Sequence, residues 1–301
     1  MMSSNVRRAT VSIALAAALA GVAACSGSDS DGDSGKGGGD KGSGGSSTKV
    51  SPIAALRSVD RTTDGADSAR VESSTTMGSM MSMKADGVLG WADGLTGNLT
   101  ITYTGGTMAD QMRQLGTTSM EARYLPDAYY AKMGDKFAEQ SGGKHWIMYA
   151  YDDLAELAGG SGAYMKDQMQ NTTPNQSVKL LLASGDVQRV GAEKVRGENT
   201  THYSGTVDVA DLASRSSNLS EEQLADMKRQ LQQAGVTTET IDIWVNEDDL
   251  LVKKVEKGEL ATGPMSSTAY YSDYGADASV AEPPASDTAD FKDLMAAQPS
   301  A

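Results

Sequence analysis

The sequence predicts an α+β fold, an antiparallel sheet of about ten strands with its helices packed on one face. Three observations carry that reading. Long stretches alternate apolar and polar residues with a period of two, the mark of half-buried antiparallel strands. Helix signals are few, and each is local. Their order is one helix, five or six strands, helices, two strands, a helix and three more strands, a run of strands interrupted by helices that suits a single antiparallel sheet.

The chain opens on a short basic segment with Arg7 and Arg8, followed by small and apolar residues from Ala9 to Ala24. That is the charged and then apolar layout of a secretory signal peptide, and the run is short for a membrane span of ~20 residues. It ends in Val22-Ala23-Ala24-Cys25 and no basic stop-transfer cluster follows. Those four residues match a lipobox, so residues 1–24 are expected to be removed and Cys25 to become a lipidated first residue. Several acyl chains at ~0.8 kcal/mol per buried methylene give stable anchoring where one chain binds reversibly. Cys25 is the only cysteine of the chain, so no disulfide forms within a monomer and the domain must rely on its hydrophobic core.

Residues 1–24 contain two basic and no acidic residues, so the 26 Lys and Arg against 40 Asp and Glu of the whole chain become 24 against 40, a net charge of −16. Such a surface is a poor partner for nucleic acid and for anionic lipid headgroups. The expected attachment to the membrane therefore runs through the lipid on Cys25, on its outer face.

From Ser26 to Lys49 there is no apolar side chain, only Gly, Ser, Asp, Lys and one Thr. Nothing there offsets the entropy of ordering, so 25–49 reads as a lipidated cysteine and flexible tether. Its 24 residues after Cys25 span on the order of 25 to 30 Å. Asp29, Asp31 and Asp33 alternate as in a calcium loop, but the closing Glu of that motif is missing, and they read as solvated linker carboxylates. Residues 50–284 make one domain without internal repeats, and 285–301 read as a loose or weakly helical tail.

Four helices are predicted. Ser51-Pro52 opens one that carries Ile53, Leu56 and Val59, with serine as cap and proline in the first turn. Asp153 to Met169, interrupted at Gly159-Gly160, offers Leu154, Leu157, Tyr164, Met165 and Met169. Thr173-Pro174-Asn175-Gln176 has threonine as cap and glutamine three residues on, then Val178, Leu180, Leu181 and Leu182 before Gly185. Ser220-Glu221-Glu222-Gln223 repeats the capping box, with Leu219 and Leu224 as a staple and Met227 and Leu231 extending one face.

The strands are set by alternation. Leu99, Ile101 and Tyr103 oppose Asn98, Thr100 and Thr102; Met120, Ala122 and Tyr124 oppose Glu121 and Arg123; Ile241, Ile243 and Val245 oppose Thr240, Asp242 and Trp244. Residues 244–252 read as a hairpin with the acidic turn Asn246-Glu247-Asp248-Asp249.

Several motifs carry a family resemblance. Gly143-Lys144-His145-Trp146-Ile147 follows a strand with Tyr130 and Lys132, and Asp186-Val187 and Val190-Gly191 precede Thr200-Thr201-His202-Tyr203-Ser204-Gly205-Thr206-Val207-Asp208. Then come Ile243-Trp244-Val245-Asn246, Tyr271-Ser272-Asp273-Tyr274-Gly275 and Pro283-Pro284. In order and spacing this resembles the actinobacterial lipoproteins of the LppX and LprG type, over about Pro52 to Pro284. The resemblance implies a LolA-like fold, a curved antiparallel half-barrel whose concave side is covered by helices around an apolar cavity for acyl chains. With only two phenylalanines in the chain, and Met or Ala at many lining positions, the cavity expected here is smaller or more plastic.

Neither histidine, His145 or His202, stands in a nucleophile-elbow, zinc-protease or phosphate-loop motif, so no enzyme activity and no cofactor is expected. His202 falls on the polar face of its strand, towards solvent. Asp152-Asp153 and Asp248-Asp249 fit a helix cap and a hairpin turn. Met77, Met80, Met81 and Met83 form a thioether cluster of the kind that suits Cu(I), yet no His or Cys lies near; the bland reading places them on a strand facing the apolar interior, and no metal is expected. The reading that follows is a non-enzymatic carrier of a lipid or lipid-like ligand, with Leu99, Ile101, Tyr103, Ile147, Leu154, Leu157, Leu181, Ile241, Ile243 and Val245 as candidate lining. The alternatives are an acidic interaction module without a cavity, its protein partner unspecified, and a copper-binding lipoprotein.

Overall fold

The computed structural model describes residues 51–157, 173–208 and 238–296, with backbone alone at 155–157. The predicted helix at 220–231 and most of 153–169 lie outside the described residues, as does Cys25.

Twelve strands form one sheet: β1 (Ser68–Met77), β2 (Met81–Gly90), β3 (Thr96–Gly105), β4 (Ser119–Tyr124), β5 (Ala128–Lys132), β6 (Trp146–Ala150), β7 (Gln188–Val195), β8 (Glu198–Asp208), β9 (Thr238–Val245), β10 (Leu251–Leu260), β11 (Gly263–Ser272) and β12 (Thr288–Asp290). Their order is β12-β6-β5-β4-β3-β2-β1-β11-β10-β9-β8-β7, so two meanders meet where β1 pairs with β11, Val71 facing Tyr271. Every pairing is antiparallel except β12 with β6, and the curved sheet stays open, with β12 and β7 at its edges. At Gly87 and Gly97 the backbones of β2 and β3 approach so closely that a Cβ would meet a carbonyl oxygen at 2.1 or 2.2 Å, which only glycine permits.

The helices pack on the concave face. They are α1 (Pro52–Asp64), α2 (Gly106–Gln114), α3 (Asp135–Gln140), α4 (Tyr151–Leu157), α5 (Gln176–Ser184) and α6 (Phe291–Ala296). Helix α1 begins as its sequence predicts: Ser51 Oγ accepts from the Ala54 N–H at 3.2 Å, Pro52 sits in the first turn, and Leu56 and Val59 are buried. Gly185 closes α5 in the left-handed region at φ +72°, again as read. The start of α5 differs. Asn175, not Thr173, is the cap residue, and its amide is directed away from its own helix, donating to Asp60 Oδ1 at 2.7 Å and Asp64 Oδ1 at 3.2 Å. The contact with α1 has replaced the local capping bond.

Two apolar clusters fill the concave side. One joins β2–β6 with Met112 of α2, Phe137 of α3 and Tyr151 and Leu154 of α4; the other joins β1 and β8–β11 with Leu56 and Val59 of α1 and Val178, Leu180 and Leu181 of α5. The residues after Pro284, read as a tail, belong to the fold: β12 extends β6, Phe291 of α6 stacks on Tyr149 at 4.7 Å, and Asp287 Oδ1 sits 2.7 Å from His145 Nδ1. A three-residue strand and a six-residue helix are too short to leave a period in the sequence.

The convex face is not purely polar. Trp244, placed by alternation on the solvent side of β9, is 6 % exposed in a cluster with Val195, Val252 and Val255. His202 stacks flat on it at 4.3 Å and pairs with Asp242 at 2.8 Å, so it lies on the outer face, as read, but is covered. Among the described residues, no helix is long and apolar enough to cross a membrane.

Candidate functional site

Registers across the middle of the sheet show why the two clusters stay apart except at Leu89, which packs against both. One inward-facing row runs Lys254, Ala269, Ser73, Ala85, Ile101, Met120 from β10 to β4, and the next runs Glu256, Ser267, Thr75, Met83, Tyr103. The centre of both rows, on β11, β1 and β2, is occupied by alanine, serine and threonine, with Met83 at the margin. Small side chains between two sets of large ones leave a gap. The result is a cavity of about 110 Å³, with Val71, Ala85, Leu89, Trp91, Leu99, Ile101 and Tyr124 among its apolar lining and Thr173, Pro174 and Gln176 as the chain enters α5.

The β10 side of this space is charged and buried. Lys254 lines the cavity; its Nζ donates to Glu256 Oε1 at 3.0 Å and to Ser177 Oγ at 3.1 Å, while Ser177 Oγ donates to the same carboxylate oxygen at 2.5 Å. Glu256 is 2 % exposed, and its second oxygen, Oε2, has no hydrogen-bond partner among the described residues. Glu239 of β9, also buried, completes the cluster. Its pKa is pushed up to about 8 by burial and then by the Glu256 charge, against the pull of Lys254. Burial is the largest influence and works against the Lys254 ammonium, yet Glu256, Tyr271 and Glu239 together hold the lysine above its ordinary value. Burial raises the neighbouring Tyr271 phenol, with Lys254 opposing.

On the other side of the cavity the rings of Tyr124, Tyr129 and Tyr149 pack in series, tilted to one another, with centroids 5.2 and 5.6 Å apart. All three phenols are pushed upward, chiefly by burial, and stay neutral in the ordinary pH range.

Of the predicted lining residues, Leu99 and Ile101 face the cavity. Ile147 and Leu154 are packed inside the first cluster with Tyr103 against it, and Leu181, Ile241, Ile243 and Val245 are packed inside the second. The Leu157 side chain lies outside the described residues. Met77 and Met81 face each other across the β1–β2 hairpin, whose turn holds Met80, so the four methionines span two strands rather than one; Met83 reaches the cavity. The small residues and Lys254 were missed because a search for large apolar side chains finds core walls, not the space between them. One signal was available. On β10 the alternation is inverted, with Lys254 and Glu256 inward and Val255 outward, and a broken pattern of this kind marks sites kept for reasons other than packing.

No family model matches the chain. It is 61 % identical over 249 residues to an uncharacterized 31.2 kDa protein of Streptomyces griseus from the rplA-rplJ intergenic region, covering 82 % of each chain. It is 52 % identical over 311 residues to a protein of Streptomyces coelicolor named as a lipoprotein, covering 100 % of both. The chain belongs to this family of Streptomyces lipoproteins. Among solved structures, the family member described here is similar to Mycobacterium tuberculosis lipoprotein LppX, at 16 % identity and TM-score 0.45 over 75 % of this chain and 97 % of that one. It is also similar to LprF from Mycobacterium bovis, at 14 % identity and TM-score 0.41 over 77 % and 96 %. A LolA superfamily protein from Nitrosomonas europaea follows at 12 % identity and TM-score 0.24 over 72 % and 91 %.

Proposed function

We propose that this lipoprotein is a non-enzymatic binding or carrier protein that shelters the hydrophobic part of a lipid or lipid-like molecule at the outer face of the cell membrane. The cavity on the concave face carries the reading. A recessed, largely apolar space with a few polar groups at one side is what an apolar ligand with a polar end requires. At about 110 Å³ it is small beside the ~300 to 1,000 Å³ of pockets that enclose whole drug-sized ligands. A bulky occupant therefore needs Thr173–Gln176 and the start of α5 to move aside.

The leader and Val22-Ala23-Ala24-Cys25 support the place of action: a lipid on Cys25 anchors the chain, and the tether keeps the domain within ~30 Å of the bilayer. Protein recovered from native membranes should carry a lipid detectable by mass spectrometry of the extract. Ala85→Phe, which places a ring in the cavity floor, should lower that yield severalfold. If no lipid accompanies the unaltered protein, the carrier reading fails. Cys25→Ala should release the domain from the membrane with its melting temperature unchanged; continued membrane association of the exported variant would overturn the anchor.

A further inference from the structure

We propose that the β10 side of the cavity is a headgroup site, where Lys254 receives the carboxyl head of a long-chain acid whose hydrocarbon lies against Ala85, Leu99 and Ile101. This rests on the lipid-binding reading and adds the polarity of the ligand and the direction in which it lies.

The first support is donor geometry. An ammonium has three N–H donors; two from Lys254 go to Glu256 Oε1 and Ser177 Oγ, and Lys254 lines the cavity. The hydroxyls of Ser73, Thr75 and Ser267 and the amide of Gln176 line the same space. Thr75 Oγ1 and Ser267 Oγ bond each other at 3.1 Å, which consumes one of their two hydrogens and leaves the other. A surplus of donors calls for a head rich in acceptor oxygens, and the bond donated by the ionised Lys254 is the strongest of these.

The second support is independent of the first. Glu256 Oε2 is buried without a partner, on the same carboxylate whose other oxygen holds Lys254. Folded proteins leave very few buried polar atoms in that condition. A carboxylic acid brings what both groups lack, oxygens for the ammonium and one acid proton for the bare carboxylate oxygen, and it enters without adding net charge to the buried cluster. Burial and the Glu256 charge push the Glu239 pKa up to about 8, which weakens the second carboxylate charge facing Lys254. A quaternary ammonium head would meet the Lys254 ammonium and has no N–H to give to Glu256 Oε2.

The test is calorimetric titration of the processed chain carrying Cys25→Ala, free of detergent, with dodecanoate, dodecanol and dodecyltrimethylammonium below their micellar concentrations. Dodecanoate, which takes up one proton from the buffer as it binds, is expected to bind about tenfold tighter than dodecanol, the scale of one charge-assisted bond, and the cation weakest. Lys254→Met combined with Glu256→Gln avoids leaving a bare buried carboxylate; it should bring dodecanoate and dodecanol to similar affinity without weakening dodecanol. Lys254→Arg should retain the preference. Equal binding of dodecanoate and dodecanol by the unaltered chain, or a preference that survives the double change, overturns the headgroup site while sparing the carrier reading. Absence of binding by all three compounds overturns both.

Discussion

Glu239 and Glu256 lie on the inner face of a sheet, where a carboxylate costs several kcal/mol unless it is paired or protonated. Glu256 takes the first solution through Lys254 and Ser177, and Glu239 the second. With an ordinary value of 4.5 and a folded value of about 8, Glu239 binds more proton in the folded than in the unfolded chain between those limits. Its contribution to stability is complete below pH 4.5 and is lost as pH rises through about 8, by up to ~1.4 kcal/mol per pH unit across the window. Thermal melts between pH 5 and 9 should therefore show a decline that Glu239→Gln flattens. A slope of the same size in the variant would place the titration elsewhere in the molecule. Glu239 and Glu256 are each an ordinary surface type, and beyond the inverted alternation of β10 nothing local marks them; Glu256 is turned inward by its register against Ser267, and Glu239 stands opposite Gly258.

Among the elements, the legible ones were those with a strong local signal. Strands β3, β4 and β9 follow the alternation read from Leu99, Met120 and Ile241, and α1 follows its Ser-Pro start. Helices α2 and α3 were not foreseen, since their N-cap positions are Gly105 and Gly134, which lend no side-chain bond. The start of α5 was misplaced because a tertiary contact overrode the capping pattern. Asn175 is fully buried and joins α5 to Asp60 and Asp64 of α1. Asn175→Ala should cost about 1 to 3 kcal/mol in urea unfolding, the range for removing a buried hydrogen-bonding group. A loss within error would mean that α1 and α5 are held by Leu56, Val178 and their apolar neighbours alone. The C-terminal elements make a parallel case. Ending the chain at Pro284 removes the buried Ala289 and takes Phe291 and Leu294 away from the first cluster, and should destabilise the domain by about 2 to 4 kcal/mol. An unchanged melting temperature would return those residues to the status of a tail.

At the scale of the whole molecule, the sheet with helices on one face was readable from pattern, while its division into two cores was not. That division depends on which small residues fall side by side in β11, β1 and β2, a matter of long-range register. The pairing has a consequence for how the protein comes into being. Arg70 of β1 meets Ser272 of β11, some 200 positions later in the chain. At ~5 to 20 residues per second, ribosomal synthesis separates the two strands by on the order of 10 to 40 s. Throughout that interval β1 has an unpaired side, and long-range pairings of this kind are the slow part of folding. The strand that closes the floor is among the last to be made, so the polypeptide stays threadable until then. The pocket, whose lining runs from Val71 to Tyr271, is thus among the last parts of the molecule that can form.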